Sequence, residues 1–226
     1  MNTSVVDYIM RKFSELVASE LWHLGAIKVD LKSPFTLASG NYSPIYVDCR
    51  QLISFPAFAD LFVASARFIC KQHSVVFDVV AGGETAGIPF AAFLARSLGV
   101  PMAYVRKEAK SHGLSSRVAG RIDPEERVLL VEDLITDAGS KIAFIQGIRG
   151  AGGIITDVLV AFDRLQGGED ALQKEGVVLH AISDIDVALR VGEESEVLAA
   201  AEAQSVRRYF ADPAAWHRER NLQYRG

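Results

Sequence analysis

The chain has 226 residues, half of them hydrophobic and 23% charged, with a formal net charge of -4 and a pI near 5.8. That length suits one well-buried α/β domain with a small appendage, and the composition is too apolar for a disordered chain. The acidic balance weighs against a general nucleic-acid binder, and two cysteines with no C-x-x-C spacing exclude a disulfide framework or a thiolate metal site.

Residues Ser4 to Leu24 repeat apolar side chains at helical spacing, through Val5, Ile9, Phe13, Leu16, Val17 and Leu21. The opening Met-Asn-Thr-Ser-Val-Val-Asp has no basic stretch leading into an apolar core, so no signal peptide is expected. Short strands follow at Ile27–Val29, Phe35–Gly40 and Pro44–Asp48, with Gly40, Asn41 and Pro44 marking turns. Phe58–Cys70 reads as a second helix. From there strands at Val75–Ala81, Met102–Val105, Val128–Val131 and Ile154–Phe162 alternate with helices around Ile88–Leu98 and Ile142–Ile148. Val177–Ile182 suits an edge strand, Glu193–Phe210 a helix, and the residues beyond Asp212 a polar, partly loose tail. This alternation predicts an α/β fold with a doubly wound, mainly parallel sheet and flanking helices. Residues 1–50 form a small N-terminal hood of helix and short strands, and residues 51–226 the core. Arg67 and Arg96 interrupt the two most apolar helical stretches, so no membrane span and a cytoplasmic location are expected.

The segment Val128–Lys141 is the most informative. An unbroken apolar strand ends in adjacent carboxylates, Glu132 and Asp133. Thr136, Asp137, Ala138, Gly139 and Ser140 then supply hydroxyls and small residues where a helix begins. Ligands of open α/β sheets bind beyond the carboxyl ends of strands, and a helix N-terminus favours phosphate. Acids beside a phosphate turn point to a ligand offering both hydroxyls and phosphate, such as a sugar phosphate. The same residues also suit a solvated strand end followed by an ordinary N-cap. Neither a Walker-type G-x-x-x-x-G-K-[ST] nor a strand-linked G-x-G-x-x-G is present.

A second strand-to-helix turn, Ala81–Pro89, carries Gly82, Gly83 and Gly87. It reads either as a packing turn or as a second phosphate-accepting turn on the same edge. Arg106–Arg121 makes up most of a polar link of about twenty residues between the strands ending at Val105 and starting at Val128, long enough to be a lid. It carries Arg106, Lys107, Lys110, His112 and Arg117. Read as a lid, it delivers Lys110 and His112 to a polyanion; read as surface, its charge is incidental. Arg164 ends the next strand and has two readings: a fork onto a carboxylate or imide, or a partner for Asp163 or Asp137. His23, His73, His180 and His217 are scattered without ligand spacing.

With these motifs in order, residues 27 to 165 resemble the type I phosphoribosyltransferases, specifically those acting on orotate. The acid pair and its turn are similar to the family's phosphoribosyl-pyrophosphate (PRPP) motif. Phe35–Gly40 with Ser43–Tyr46 is similar to the orotate-side segment, and Arg106–Gly113 to the catalytic loop. The resemblance implies transfer of 5-phosphoribosyl from PRPP to orotate, with Mg2+ as cofactor, rather than action on another base or ligand sensing without catalysis. It assigns PRPP to Arg106, Lys107, Lys110, His112 and the run Glu132, Asp133, Leu134, Ile135, Thr136, Asp137, Ala138, Gly139 and Ser140. Orotate falls to Thr136, Arg164 and Tyr46, and catalysis to Lys110, His112 and Asp133. Mg2+ has no direct protein ligand; PRPP and water hold it near Glu132 and Asp133. A homodimer is implied, with loop 107–122 shared across its interface, and neither nucleic acid nor membrane is a partner. Ala38 and Ala86 stand where many members carry lysine, and Ala138 where glycine is frequent.

Overall fold

The computed structural model describes residues 3–37, 39–108 and 117–225. Packing divides the chain into two compact units. One holds the residues up to Val17 together with Cys49–Ile185, and the other Ala18–Asp48 with the residues from Asp186 onward. The sequence pattern predicts a hood over 1–50 and a core over 51–226. The packing division follows the C-terminal segment, which bonds to the hood residues rather than to the sheet.

The larger unit is built on a six-stranded sheet of β5 (Val79–Gly83), β6 (Met102–Val105), β7 (Val118–Ala119), β8 (Arg127–Ile135), β9 (Ile154–Asp163) and β10 (Val178–Asp184). Its order is β10-β9-β8-β5-β6-β7, parallel except where β7 pairs antiparallel with β6. Helices α2 (Pro56–Gln72), α3 (Gly87–Leu98), α4 (Gly139–Gly150) and α5 (Gly168–Lys174) flank it. This is the expected doubly wound architecture. Val128 and Leu130 of β8 join Phe144, Ile145 and Ile148 of α4 in one core cluster. Elsewhere in the unit Phe62 of α2 meets Phe90 of α3 edge to face, ring centres 4.9 Å apart. Chain order reverses at β5, whose neighbours are β6 and β8, so the topological switch point lies between β5 and β8.

Several boundaries move. The strand expected at Val75–Ala81 begins at Val79, because α2 closes through Val75 N to the Cys70 carbonyl at 2.9 Å. Asp78 then anchors the strand start on Arg127, its Oδ2 accepting from Arg127 N and Nε at 2.9 Å each. That pairing holds the Asp78 carboxyl down at about 2. The long link after β6 is interrupted by β7 at Val118–Ala119. No helix among the described residues is long and apolar enough to cross a membrane.

In the smaller unit β1 (Ile27–Val29) pairs antiparallel with β4 (Ile45–Val47), and β2 (Phe35–Thr36) with β3 (Tyr42–Ser43). The C-terminal part of α1 (Thr3–His23) enters this unit. Trp22 Nε1 donates to the Ala188 carbonyl of α6 (Ile185–Glu194) at 2.8 Å. The helix expected over 193–210 is two helices, α6 and α7 (Ala200–Ala211). Glu196 turns left-handed at φ 60° after α6, and Glu202 accepts from Ala199 N to start α7. The tail is not loose either. Asp212 caps α8 (Pro213–Arg218) by accepting from Ala215 N at 2.8 Å, with Pro213 in the first turn. Trp216 and His217 of α8 are buried. His217 Nδ1 donates to the Pro213 carbonyl at 2.6 Å, and Nε2 accepts from Tyr42 N at 3.1 Å. Asn41 Nδ2 donates to the Arg225 carbonyl, and Arg225 N returns a bond to Asn41 Oδ1.

Candidate active site

β8 does not stop where its apolar run stops. It continues to Ile135, so Glu132 and Asp133 lie inside the strand rather than beyond its end, and both are buried, at 4% and 7% exposure. The reason is a partner from the following helix. Lys141, in the first turn of α4, places Nζ 2.9 Å from Glu132 Oε2, allowing a carboxylate to stay inside the sheet. Neighbouring strand residues point to opposite faces, so the acids diverge. Asp133 feels Arg50, in the 3-10 segment Cys49–Ser54, as a second cation.

Burial pushes both carboxyls above their ordinary range. For Glu132 Lys141 opposes that rise and the Asp133 charge adds to it; for Asp133 Lys141 again opposes it. Glu132 Oε1 has no hydrogen-bond partner among the described residues and lies in a glycine cradle. A Cβ on Gly83 would stand 2.3 Å from that oxygen and from the Phe144 ring, and one on Gly87 would stand 2.0 Å from it. Gly82 and Gly83 therefore belong to strand β5 and are required by close packing, not by the turn that follows.

After β8, Thr136 is half-buried and Asp137 exposed, and Asp137 Oδ1 accepts from Gly139 N at 3.1 Å. Ala138 adopts φ 65°, the left-handed conformation that glycine takes readily, and supplies no side-chain cap to α4. Gly139 and Ser140 are exposed, leaving the helix start open to solvent. β9 ends alongside: Ile135 pairs with Asp163, and Arg164 N donates to the Ile135 carbonyl at 3.0 Å. Thr136 and the half-buried Arg164 thus sit at adjacent strand ends. Burial raises the Asp163 carboxyl, and Asp163 Oδ1 accepts from Leu165 N at 2.8 Å.

On the other side of the switch point, Glu84 N donates to the Val105 carbonyl, and Glu84 Oε2 accepts from Lys107 N, both at 2.9 Å. Arg106 N bonds to the Arg117 carbonyl at 2.8 Å, and the Arg117 guanidinium reaches the Arg106 and Lys107 carbonyls. These bonds bring the loop ends together and bring Arg106 and Lys107 to the same sheet edge as the acid pair. Lys110 and His112 lie outside the described residues, as does Ala38. Ala86, at the start of α3, provides no side-chain cap. In the smaller unit Tyr46 is half-buried against Phe35, ring centres 5.7 Å apart.

His180 and His217 are buried structural groups, His180 Nε2 meeting Asp157 Oδ1 at 2.7 Å. Cys49 and Cys70 are buried free thiols, and burial pushes Cys70 up to about 12. No group of three or more His, Cys, Asp or Glu among the described residues is placed to hold a metal ion.

A doubly wound sheet with an acid pair, an open helix start and the basic residues Arg106 and Lys107 along its carboxyl edge is the architecture of the phosphoribosyltransferase class. Residues 56–191 match the phosphoribosyl transferase domain. The chain is 42% identical to an orotate phosphoribosyltransferase of Sinorhizobium fredii over 92% of this chain and 91% of that one. Its structure is similar to an orotate phosphoribosyltransferase of Aeropyrum pernix, with TM-score 0.67 and 28% identity over 77% of this chain and 97% of that one. It is also similar to the UMP synthase of Leishmania donovani, with TM-score 0.76 and 28% identity, covering 88% of this chain and 42% of that longer chain. The chain belongs to the orotate phosphoribosyltransferase family.

Proposed function

We propose that this chain transfers the 5-phosphoribosyl group from PRPP to orotate, yielding orotidine 5′-phosphate and diphosphate, a step of pyrimidine synthesis. The observation that carries the chemistry is the buried Glu132–Asp133 pair leading into an open helix start at the switch point. The choice of orotate rests on the relatives' names.

Displacement at C1 of the ribose passes through an oxocarbenium-like state, positive on the sugar and negative on the departing diphosphate. Glu132 and Asp133 accept from the 2′ and 3′ hydroxyls and lie beside the developing positive charge. Leu134 to Ser140 wrap the 5-phosphate through backbone N–H groups and hydroxyls. Arg106, Lys107, Lys110 and His112 face the diphosphate, where well-placed donors are worth about 3 kcal/mol each. Thr136 and Arg164, at adjacent strand ends, orient orotate. Mg2+ fits this donor set: it binds through substrate phosphates and retained water with few carboxylates, and buried acids of hard oxygen chemistry stand at the sugar site. When bound, it neutralises charge on the diphosphate. Loop 107–122 closes on the substrate and is shared between two copies in a homodimer of the cytoplasm.

The test mixes the protein with orotate, PRPP and Mg2+ and follows the fall of orotate's ultraviolet absorbance. Loss of absorbance with release of diphosphate supports the reading. Silence with orotate but turnover of a purine base overturns it, and PRPP binding without turnover of any base makes the chain a sensor.

A further inference from the structure

Lys141 has no place in the assignments above. It stands one residue past the turn given to the 5-phosphate, yet its side chain runs back to the acid pair. Its Nζ is 2.9 Å from Glu132 Oε2, with only 9% and 5% of the two side chains exposed. Ser140 Oγ lies 3.4 Å from the same nitrogen, so one ammonium touches both Glu132 and the phosphate turn. An ammonium is a compact, strongly hydrated charge, costly to bury unless matched. The match here is local and double, since Lys141 also favours the charged form of Asp133. Two neighbouring buried carboxylates repel each other. Without an internal cation, one of them would take up a proton or turn outward, and the set of acceptors for a sugar would be lost.

Resting on the proposed function, we infer that Lys141 is a positioning residue. It seats Glu132 against the cradle of Gly83 and Gly87 and ties the acid pair to the first turn of α4. The ribose hydroxyls and the 5-phosphate then meet groups already in place. Lys141 touches no substrate in this role and acts through Glu132. The preorganised acceptors hold the sugar alike in ground and transition states, so the main effect falls on PRPP binding and little on orotate.

The test uses the intact protein with K141M, E132Q and the double variant. PRPP and orotate are varied in turn, and ribose 5-phosphate binding is measured by calorimetry. K141M is expected to raise the PRPP KM roughly tenfold while the orotate KM moves less than about threefold, with ribose 5-phosphate affinity falling in parallel. On the E132Q background the same change should add less than about threefold, because its partner is already uncharged. K141R, which keeps the charge, should recover most of the loss. An unchanged PRPP KM, or an equal K141M effect with and without the Glu132 charge, overturns the inference. Should K141M fail to fold, K141Q and the double variant, which leaves no unmatched charge, read the same coupling. A parent protein inactive on orotate overturns the proposed function instead, and the ribose 5-phosphate titrations still decide the role of Lys141.

Discussion

The two halves of the sheet edge, β8–β9 and β5–β6, present the same strand-then-turn design with opposite physics. On the β8–β9 side charge is buried: Glu132, Asp133, Lys141 and Asp163 are all nearly inaccessible. On the β5–β6 side the buried material is backbone, Gly82 lying against the Gly87–Ile88 backbone and Gly83 giving way to a carboxylate and a ring from neighbouring elements, while Lys107 and Glu108 stay in solvent. The difference teaches that a strand ending in glycines and a strand carrying acids near its end can serve one site in unequal ways. The first makes room, and the second makes contact.

Substitutions can break this comparison, beginning with the largest effect. Lys110→Ala, on the β5–β6 side, should cut turnover by roughly a hundredfold or more with PRPP KM nearly unchanged, as expected of a donor to the leaving group. Steady-state kinetics showing normal turnover would remove the loop from catalysis. Asp133→Asn should lower kcat/KM for PRPP by about a hundredfold yet leave Tm unchanged or higher, because it removes a charge that burial disfavours. A falling Tm would mean that the acid is structural. Gly83→Ala reverses the pattern: overpacking against Glu132 and Phe144 should cost about 1–3 kcal/mol in urea denaturation. Arg164→Ala should raise the orotate KM roughly tenfold and leave PRPP binding alone, as loss of a charge-assisted hydrogen bond would.

The smallest expected effect is a pH dependence of opposite sign at two places. Glu132 and Asp133 are raised from ordinary values of 4.5 and 3.8, so the folded chain holds their protons more readily than the unfolded one. Their contribution to stability is greatest at low pH and is lost as pH rises through the folded values, while sugar binding needs the ionised forms. Asp78 is lowered from 3.8 to about 2, so its contribution is present above 3.8 and lost as pH falls toward 2. Urea midpoints of the parent and of D78N from pH 2 to 7 separate the two. D78N should flatten the loss at the acid end, and an unaltered profile would show that the Arg127 pairing is without effect.

Much of this was legible in the chain. Apolar runs of strand length alternating with helical spacing gave the parallel sheet, because burial on both faces demands such runs. The acid pair and its turn stood out because carboxylates rarely follow four buried aliphatics. What was not legible were the ends of elements. The apolar run at Val128–Val131 understated β8 by its last four residues, since a charged side chain continues a strand when a cation waits beneath it. The tail beyond Asp212 looked polar, yet an aspartate-proline start with Trp216 four residues on was a readable helix signal that composition obscured.

Local sequence thus determined that a strand carries Glu132 and Asp133 to a helix start, because periodicity and turn chemistry act over a few residues. That Lys141 neutralises Glu132, that Gly83 must be bare to admit it, and that Arg164 lies beside Thr136 were decided only by the tertiary structure. Strand order brings together groups far apart in the chain, and no pattern along the chain encodes which strands become neighbours.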